Sequence, residues 1–263
     1  RDPANVEKHI RPNTKLVHVE TPTNPLLELC NLEATSAICK KAGVYLSVDN
    51  SFMSPYGQRP LDLGVDVVMQ SSTKSLSGHS DILGGVLTTN DDDLDERLRF
   101  LLKATGGVPS PFDNWILLRS TKTLGLRYQK STDNAAELAT WLCKQKGLDR
   151  VLYPGLKSHP QHEIAVKQQR SPSGDVIFGH MISIDIGSID ARDRFLERLE
   201  VFTLAESLGG VESLVCVPYN MTHAAIPEDV KLEMGITETL IRLSIGIEDV
   251  ADLKADLQNA LGN

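Results

Sequence analysis

Apolar residues in the first half of the chain come in short runs closed by proline, glycine or asparagine, alternating with longer stretches of helical spacing. The short runs at 15–20, 44–48, 65–69 and 82–87 predict strands. Residues 6–10 read as the tail of a helix, and 32–41 predicts a second helix, with Asn31 as its N-cap and Gly43 as its stop. Pro22 and Pro25 forbid regular structure just after the first strand. Strand, helix and strand in alternation predict an α/β architecture with a mostly parallel sheet. Further on, 91–103 reads as an amphipathic helix with Leu94, Leu98 and Leu101 on one face, and Asp91-Asp92-Asp93 as its N-terminus. Past the break at 106–111, Asp113 is the expected cap of a helix through Leu118. A further helical pattern covers 132–146, with Ala135, Leu138, Ala139 and Leu142 at helical spacing. Trp115 and Trp141 fall on apolar helical faces and are expected in the core.

The second half alternates differently. Residues 151–153, 176–186, 214–217 and 240–246 read as strands, and 190–199 and 249–261 as helices. This predicts a smaller α+β domain carrying an exposed sheet. The expected border lies at Leu124-Gly125, giving a large domain over 1–125 and a small one over 126–263, with one helical stretch crossing between them. No internal repeat or low-complexity segment interrupts either part.

Composition narrows the function classes. With 263 residues, 41% hydrophobic and 24% charged, the chain can build a sizeable core. A formal net charge of −8 without a basic run argues against nucleic acid as a partner. No apolar run is long enough to span a bilayer, which argues against a membrane partner, and the first residues are no signal peptide. The chain opens Arg1-Asp2-Pro3 without methionine, as expected of a fragment or a processed product. Cys30, Cys39, Cys143 and Cys216 are scattered without a CxxC spacing and suit reduced, buried thiols in a cytoplasmic protein.

The candidate chemistry centres on Gln70-Ser71-Ser72-Thr73-Lys74, which follows a strand and precedes Gly78-His79-Ser80-Asp81. In a mostly parallel sheet, ligands sit beyond the C-terminal strand ends. Asn24, Asp49 and the 71–74 stretch all fall at such ends. A lysine there, among hydroxyls and glycines, suits a Schiff base with pyridoxal 5′-phosphate (PLP). Asp49 is the candidate carboxylate for the pyridine nitrogen, and Ser71 and Thr73 are candidate phosphate donors. Arg242, an arginine within an apolar strand, is a candidate anchor for a substrate carboxylate. Each has an ordinary alternative: surface lysine, turn aspartate, turn hydroxyls, buried ion pair. Their convergence favours the site. His159-Pro160-Gln161-His162 has a metal-like spacing, but its proline makes a surface turn the expectation.

These motifs resemble one family, the PLP-dependent enzymes of cysteine and methionine metabolism, of fold type I. The resemblance is carried by Glu20-Thr21-Pro22-Thr23-Asn24-Pro25, Val48-Asp49-Asn50-Ser51-Phe52, the Ser71–Asp81 stretch, Ala205-Glu206-Ser207-Leu208-Gly209-Gly210, Met221-Thr222-His223-Ala224 and Arg242-Leu243-Ser244. It implies that Lys74 holds the cofactor and moves protons, and that Asn24 bonds the ring's 3′-oxygen. It also implies that Glu206, Ser207 and Arg242 meet an amino-acid substrate, with Glu206 suiting γ-elimination or γ-replacement better than β-elimination. The fold it implies is a partial large domain with a mostly parallel sheet plus the smaller α+β domain. It further implies a homotetramer built from dimers with shared sites. Ser75 stands where the family usually has tyrosine, Ser51 where it has threonine, and Ser120 where it has glycine. About the first third of a family chain is not represented, judged by where the motifs start; that third would carry a ring-stacking tyrosine, part of the phosphate loop and residues lent to a neighbour's site.

Overall fold

The computed structural model describes residues 2–262; the expected domain limits at Arg1 and Asn263 lie outside the described residues. Helix α1 (Pro3–His9) is capped by the Asp2 carboxylate and leads to β1 (Leu16–Glu20). Helix α2 (Leu32–Ala42) starts where Asn31 accepts from Ala34 N and stops at Gly43, whose φ of 65° favours glycine. Then come β2 (Tyr45–Asp49), a short turn α3 (Ser54–Gly57) and β3 (Val67–Ser71). After the turn that carries Lys74, β4 (Gly85–Thr88) completes a sheet of order β1-β2-β3-β4. The pairings β1–β2 and β2–β3 are parallel, and β4 runs antiparallel to β3. Leu32, Cys39, Leu46, Val48, Val65 and Val68 form the core between α2 and this sheet.

The third strand begins two residues later than the apolar run 65–69 suggests. The Asp66 carboxylate accepts from Leu46 N, and Val65 N donates back to Pro60 O, so both residues are committed to the turn before the ladder. The strand therefore reaches Ser71. Helix α4 (Asp92–Thr105) is capped by Asp91, and α5 (Pro111–Thr121) by Ser110, whose hydroxyl accepts from Asp113 N. Asp113 is thus not the cap: proline at the first helical position places the cap directly before it. Trp115 is 59% exposed, contrary to the core expected of it, and stacks on Phe112. Trp141 does pack against the helical core.

Helix α6 (Leu124–Leu142) starts ahead of the pattern at 132–146 because its two halves serve different cores. Leu124 and Tyr128 pack with Leu76 and Ile177, whereas Ala135, Leu138, Ala139 and Leu142 join the second core. The second sheet comprises β5 (Arg150–Leu152), β6 (Met181–Asp185), β7 (Thr203–Leu204), β8 (Leu214–Cys216) and β9 (Leu240–Ser244). Its order is β5-β6-β9-β8-β7. Helices α7 (His162–Gln168), α8 (Ile189–Arg198), α9 (Glu228–Met234) and α10 (Val250–Leu261) surround it.

This sheet is not exposed as its sequence suggests: β6, β8 and β9 are buried throughout. One face, with Ile182, Ile184, Ile241 and Leu243, packs with Leu138, Phe195, Leu253 and Leu257 of the helices. The other face meets the loop after β1, where the Ser183 hydroxyl donates to Pro25 O at 2.6 Å and Met181 packs with Leu27 and Phe52. The run 176–186 yields a shorter strand because Gly179 turns the chain at φ 78° and Val176 makes only an isolated bridge to Arg170. Residues 159–162 do form a turn, closed by His162 N donating to His159 O at 3.0 Å, but the His159 side chain is buried, and its Nδ1 accepts from Gln161 N. Cys143 is exposed, while the other cysteines are buried, and all are free thiols.

Candidate active site

Lys74 sits in a π turn over Ser72–Leu76 and leaves helical geometry there, at φ −89° and ψ −135°. Single π turns of this kind re-aim one side chain and recur at functional sites. The turn is closed by Ser72 N donating to Gly84 O and Gly78 N donating to Lys74 O at 2.8 Å. Lys74 itself makes no side-chain hydrogen bond or ion pair among the described residues. Burial, and next the Arg242 charge, push its amine below the ordinary lysine pKa, with Glu206 opposing them.

The parallel register puts Glu20 beside Asp49 at adjacent strand ends. The Asp49 carboxylate accepts from Ser51 N at 2.9 Å, and Ser51 Oγ accepts from Ser71 N at 2.8 Å, tying the ends of β2 and β3 together. Behind them lies a buried amide network. Gln58 Nε2 donates to Thr21 O and Asn50 Oδ1, and Gln168 Nε2 donates to Gln58 Oε1 and Cys30 O. It locks the loops after β1 and β2 against each other. Glu20 Oε2 accepts from Asn24 N at 3.1 Å. Burial raises the Glu20 pKa against this bond, and the nearby Asp49 adds to the rise.

Arg242 arrives from β9 and is 1% exposed. Its Nη1 donates to Asn24 Oδ1 at 2.9 Å, and its Nη2 donates to Glu206 O at 2.6 Å and Ser207 O at 3.1 Å. Its Nε is buried without a hydrogen-bond partner, so the guanidinium retains an unsatisfied donor. His223 Nε2 lies 3.2 Å from Asn24 O, which belongs to the loop after β1.

Asn24, Asp49, Ser71, Thr73, Lys74, Glu206, Ser207 and Arg242 all line one cavity of about 450 Å³. Glu20, Ser51, Phe52, Leu83, Leu208 and Thr222 line it too. The sequence motifs include Glu20 without assigning it a role; its signal is an acidic residue ending a strand in register with Asp49. Among the hydroxyls, Ser71 Oγ makes no hydrogen bond to the described residues, whereas Thr73 Oγ1 accepts from Gly84 N at 3.0 Å and donates to Gly84 O at 3.4 Å. A larger apolar groove of about 800 Å³ runs along Leu16, Tyr45, Leu87 and α4 and contains none of these groups. Among the described residues, no group of three or more His, Cys, Asp or Glu side chains could hold a metal ion, and no helix is long and apolar enough to cross a membrane.

A free, partly desolvated amine, a carboxylate, the unbonded Ser71 hydroxyl and a guanidinium around one cavity fit the reactive aldehyde, ring nitrogen and phosphate of PLP and the carboxylate of its amino-acid substrate. The fold and this donor set define a PLP-dependent enzyme of fold type I. The chain belongs to the Cys/Met metabolism PLP-dependent enzyme family, whose pattern matches residues 1–262, and its cofactor is pyridoxal 5′-phosphate. Its relatives include the cystathionine gamma-lyase of Bacillus subtilis (strain 168), 51% identical over 98% of this chain and 66% of that protein. The cystathionine beta-lyase of Coxiella burnetii is 46% identical over 99% of this chain and 66% of that protein. A solved cystathionine gamma-lyase from Lactobacillus plantarum, complexed with L-serine, superposes with a TM-score of 0.95 at 42% identity, over 100% of this chain and 67% of that one. The solved metB of Corynebacterium glutamicum gives 0.92 at 43% identity, over 99% of this chain and 66% of that one. The chain thus spans somewhat under two thirds of the length of the first relatives, at 66% and 63%.

Proposed function

We propose that this protein cleaves L-cystathionine by γ-elimination, consuming water and releasing L-cysteine, 2-oxobutyrate and ammonia. The observation that carries the reading is the free Lys74 amine in one cavity with Asp49, Glu206 and Arg242. Identity with relatives named cystathionine gamma-lyase supports the substrate. When bound, PLP supplies an electron sink for charge developing at the substrate's α-carbon.

In this reading Asp49 pairs with the pyridine nitrogen and keeps it protonated. Asn24 bonds the ring oxygen, while Ser71 and Thr73 donate to the phosphate. Ser71 is the freer donor, because the Thr73 hydroxyl already donates to Gly84 O at 3.4 Å. Arg242 holds the substrate carboxylate, and the backbone of Ser207, bonded to Arg242, brings Glu206 to the distal end of the substrate. Lys74 carries the cofactor, then takes the α-proton and moves protons along the substrate chain. Its lowered pKa keeps more of the amine in the neutral form that a base requires.

The assay is product analysis with L-cystathionine. Cysteine with 2-oxobutyrate supports the proposal; homocysteine with pyruvate would assign β-elimination instead. The same groups would serve γ-replacement, as in a cystathionine γ-synthase, so an O-acylhomoserine offered with cysteine is the second arm. A protein that binds no PLP and turns over neither substrate would be left with a role as an inactive assembly partner. Lys74→Ala should abolish the visible absorption of the bound cofactor and reduce turnover by at least about 1,000-fold.

We further propose a homotetramer in a reducing, cytoplasmic setting. Phe112, Trp115, Leu118 and Leu126 place exposed apolar surface on neighbouring helices, which suits an interface between copies. The free thiols suit the compartment.

A further inference from the structure

We propose that Arg127 is the positioning residue for Lys74, a half-buried cation that fixes the lysine turn through its backbone carbonyls. The proposal rests on the reading of Lys74 as the cofactor-bearing residue. Arg127 lies in the first turn of α6. Its Nη1 donates to Ser75 O at 2.9 Å, and its Nη2 donates to Leu76 O at 3.3 Å and Ser120 O at 3.0 Å. Its Nε donates to Thr123 Oγ1 at 3.1 Å.

None of these partners is a carboxylate, and Arg127 makes no ion pair among the described residues. A guanidinium partly withdrawn from water without a counter-ion is costly unless its donors are satisfied. Here the acceptors are carbonyls at the C-terminal ends of α5 and of the lysine turn, where unpaired carbonyls accumulate negative potential. A planar fork can bond carbonyls from two elements at once, whereas an ammonium offers a single point of charge.

Gly78 is matched to this arrangement. Its φ is 70°, and a Cβ there would meet Arg127 Nη1 at 2.0 Å. The glycine of the Gly78-His79-Ser80-Asp81 motif therefore makes room for the guanidinium. The turn is closed elsewhere too. A Cβ on Gly209 would lie 2.7 Å from Ser75 Oγ and 2.8 Å from Ser75 N, and Ser75 Oγ lies 3.2 Å from His180 Nε2. The backbone next to Lys74 is thus held from several sides while the Lys74 amine stays free. A group that must form and break a covalent bond needs that combination: a fixed root and a mobile tip.

The test compares Arg127→Gln and Arg127→Lys with the wild-type holoprotein, using whichever substrate is turned over. Arg127→Gln should lower kcat by about 100-fold with KM changed only a few-fold, since misplacing a catalytic group costs on that scale. Arg127→Lys should recover part of the loss. Amide hydrogen exchange should accelerate over residues 72–78 and stay unchanged over 135–142. Native kcat and native exchange in Arg127→Gln overturn the proposal. So does faster exchange spread evenly along α6, which marks a general structural role. If Arg127→Gln does not fold, Arg127→Lys decides alone, and native values of both quantities in it overturn the proposal. Lys74→Ala is the separate control: if it retains the cofactor's visible absorption, the reading of Lys74 fails, whatever Arg127 does.

Discussion

His180 shows how much a single side chain can depend on its surroundings. It is fully buried, its ring meets Tyr128 edge-on at 5.4 Å, and its Nδ1 has no hydrogen-bond partner. Burial pushes its pKa from 6.5 down to about 4. The folded imidazole therefore stays neutral where the unfolded one takes up a proton. The His180 contribution to stability, about 3 kcal/mol, should be lost as pH drops from about 6.5 to about 4 and change no further below that. Urea midpoints across this range should show a shallower slope for His180→Phe than for wild type. Arg242 acts in the opposite sense, as a retained charge. Arg242→Lys removes the fork that meets Asn24 and the 206–207 carbonyls, and KM for an amino-acid substrate should rise about 10- to 100-fold. Arg242 stands out in the sequence because arginine is costly within an apolar strand. Its partner Asn24 lies 218 residues away, so no sequence window pairs them.

Elements were legible where their signals were local. Asn31, Asp91 and Asp249 cap α2, α4 and α10, as short polar residues before apolar periodicity should. The start of α6 was not legible, because residues 124–131 are shaped by contact with the lysine turn and not by a single apolar face. The loops around the cavity depend on buried polar groups that no periodicity reports. Gln58→Leu would strip partners from Thr21 O, Asn50 Oδ1 and Gln168 Nε2. A loss of about 3 kcal/mol is expected from the urea midpoint, since each orphaned buried group costs on the order of 1–3 kcal/mol. Gly209→Ala should also destabilise the protein, by at least about 1 kcal/mol, because φ of 77° disfavours a side chain and its Cβ would press on the backbone beside Lys74.

At the scale of the molecule, the two sheets divide the labour. The mostly parallel sheet lines up strand ends, and the second sheet delivers Arg242 while its neighbouring loop delivers Glu206. Exposed apolar side chains on α5 leave a surface that water alone does not favour. If copies associate through this surface, replacing Trp115 and Leu118 together with lysine and aspartate should shift the sedimentation profile toward smaller species without unfolding the chain; an unchanged profile would count against it.

The sequence by itself determined the lysine turn and its companions Asn24 and Asp49. Strand ends in a parallel sheet share an edge, and the period and punctuation that mark those ends are local. The family resemblance already implied that Arg242 and Glu206 meet the substrate; only the tertiary structure decided how they reach the cavity, that the central strands of the second sheet are buried on both faces, that Trp115 faces outward and that Arg127 bonds the carbonyls just after Lys74. Each of these depends on which surfaces pack together across long stretches of chain. Packing chooses among faces that the linear pattern leaves equivalent.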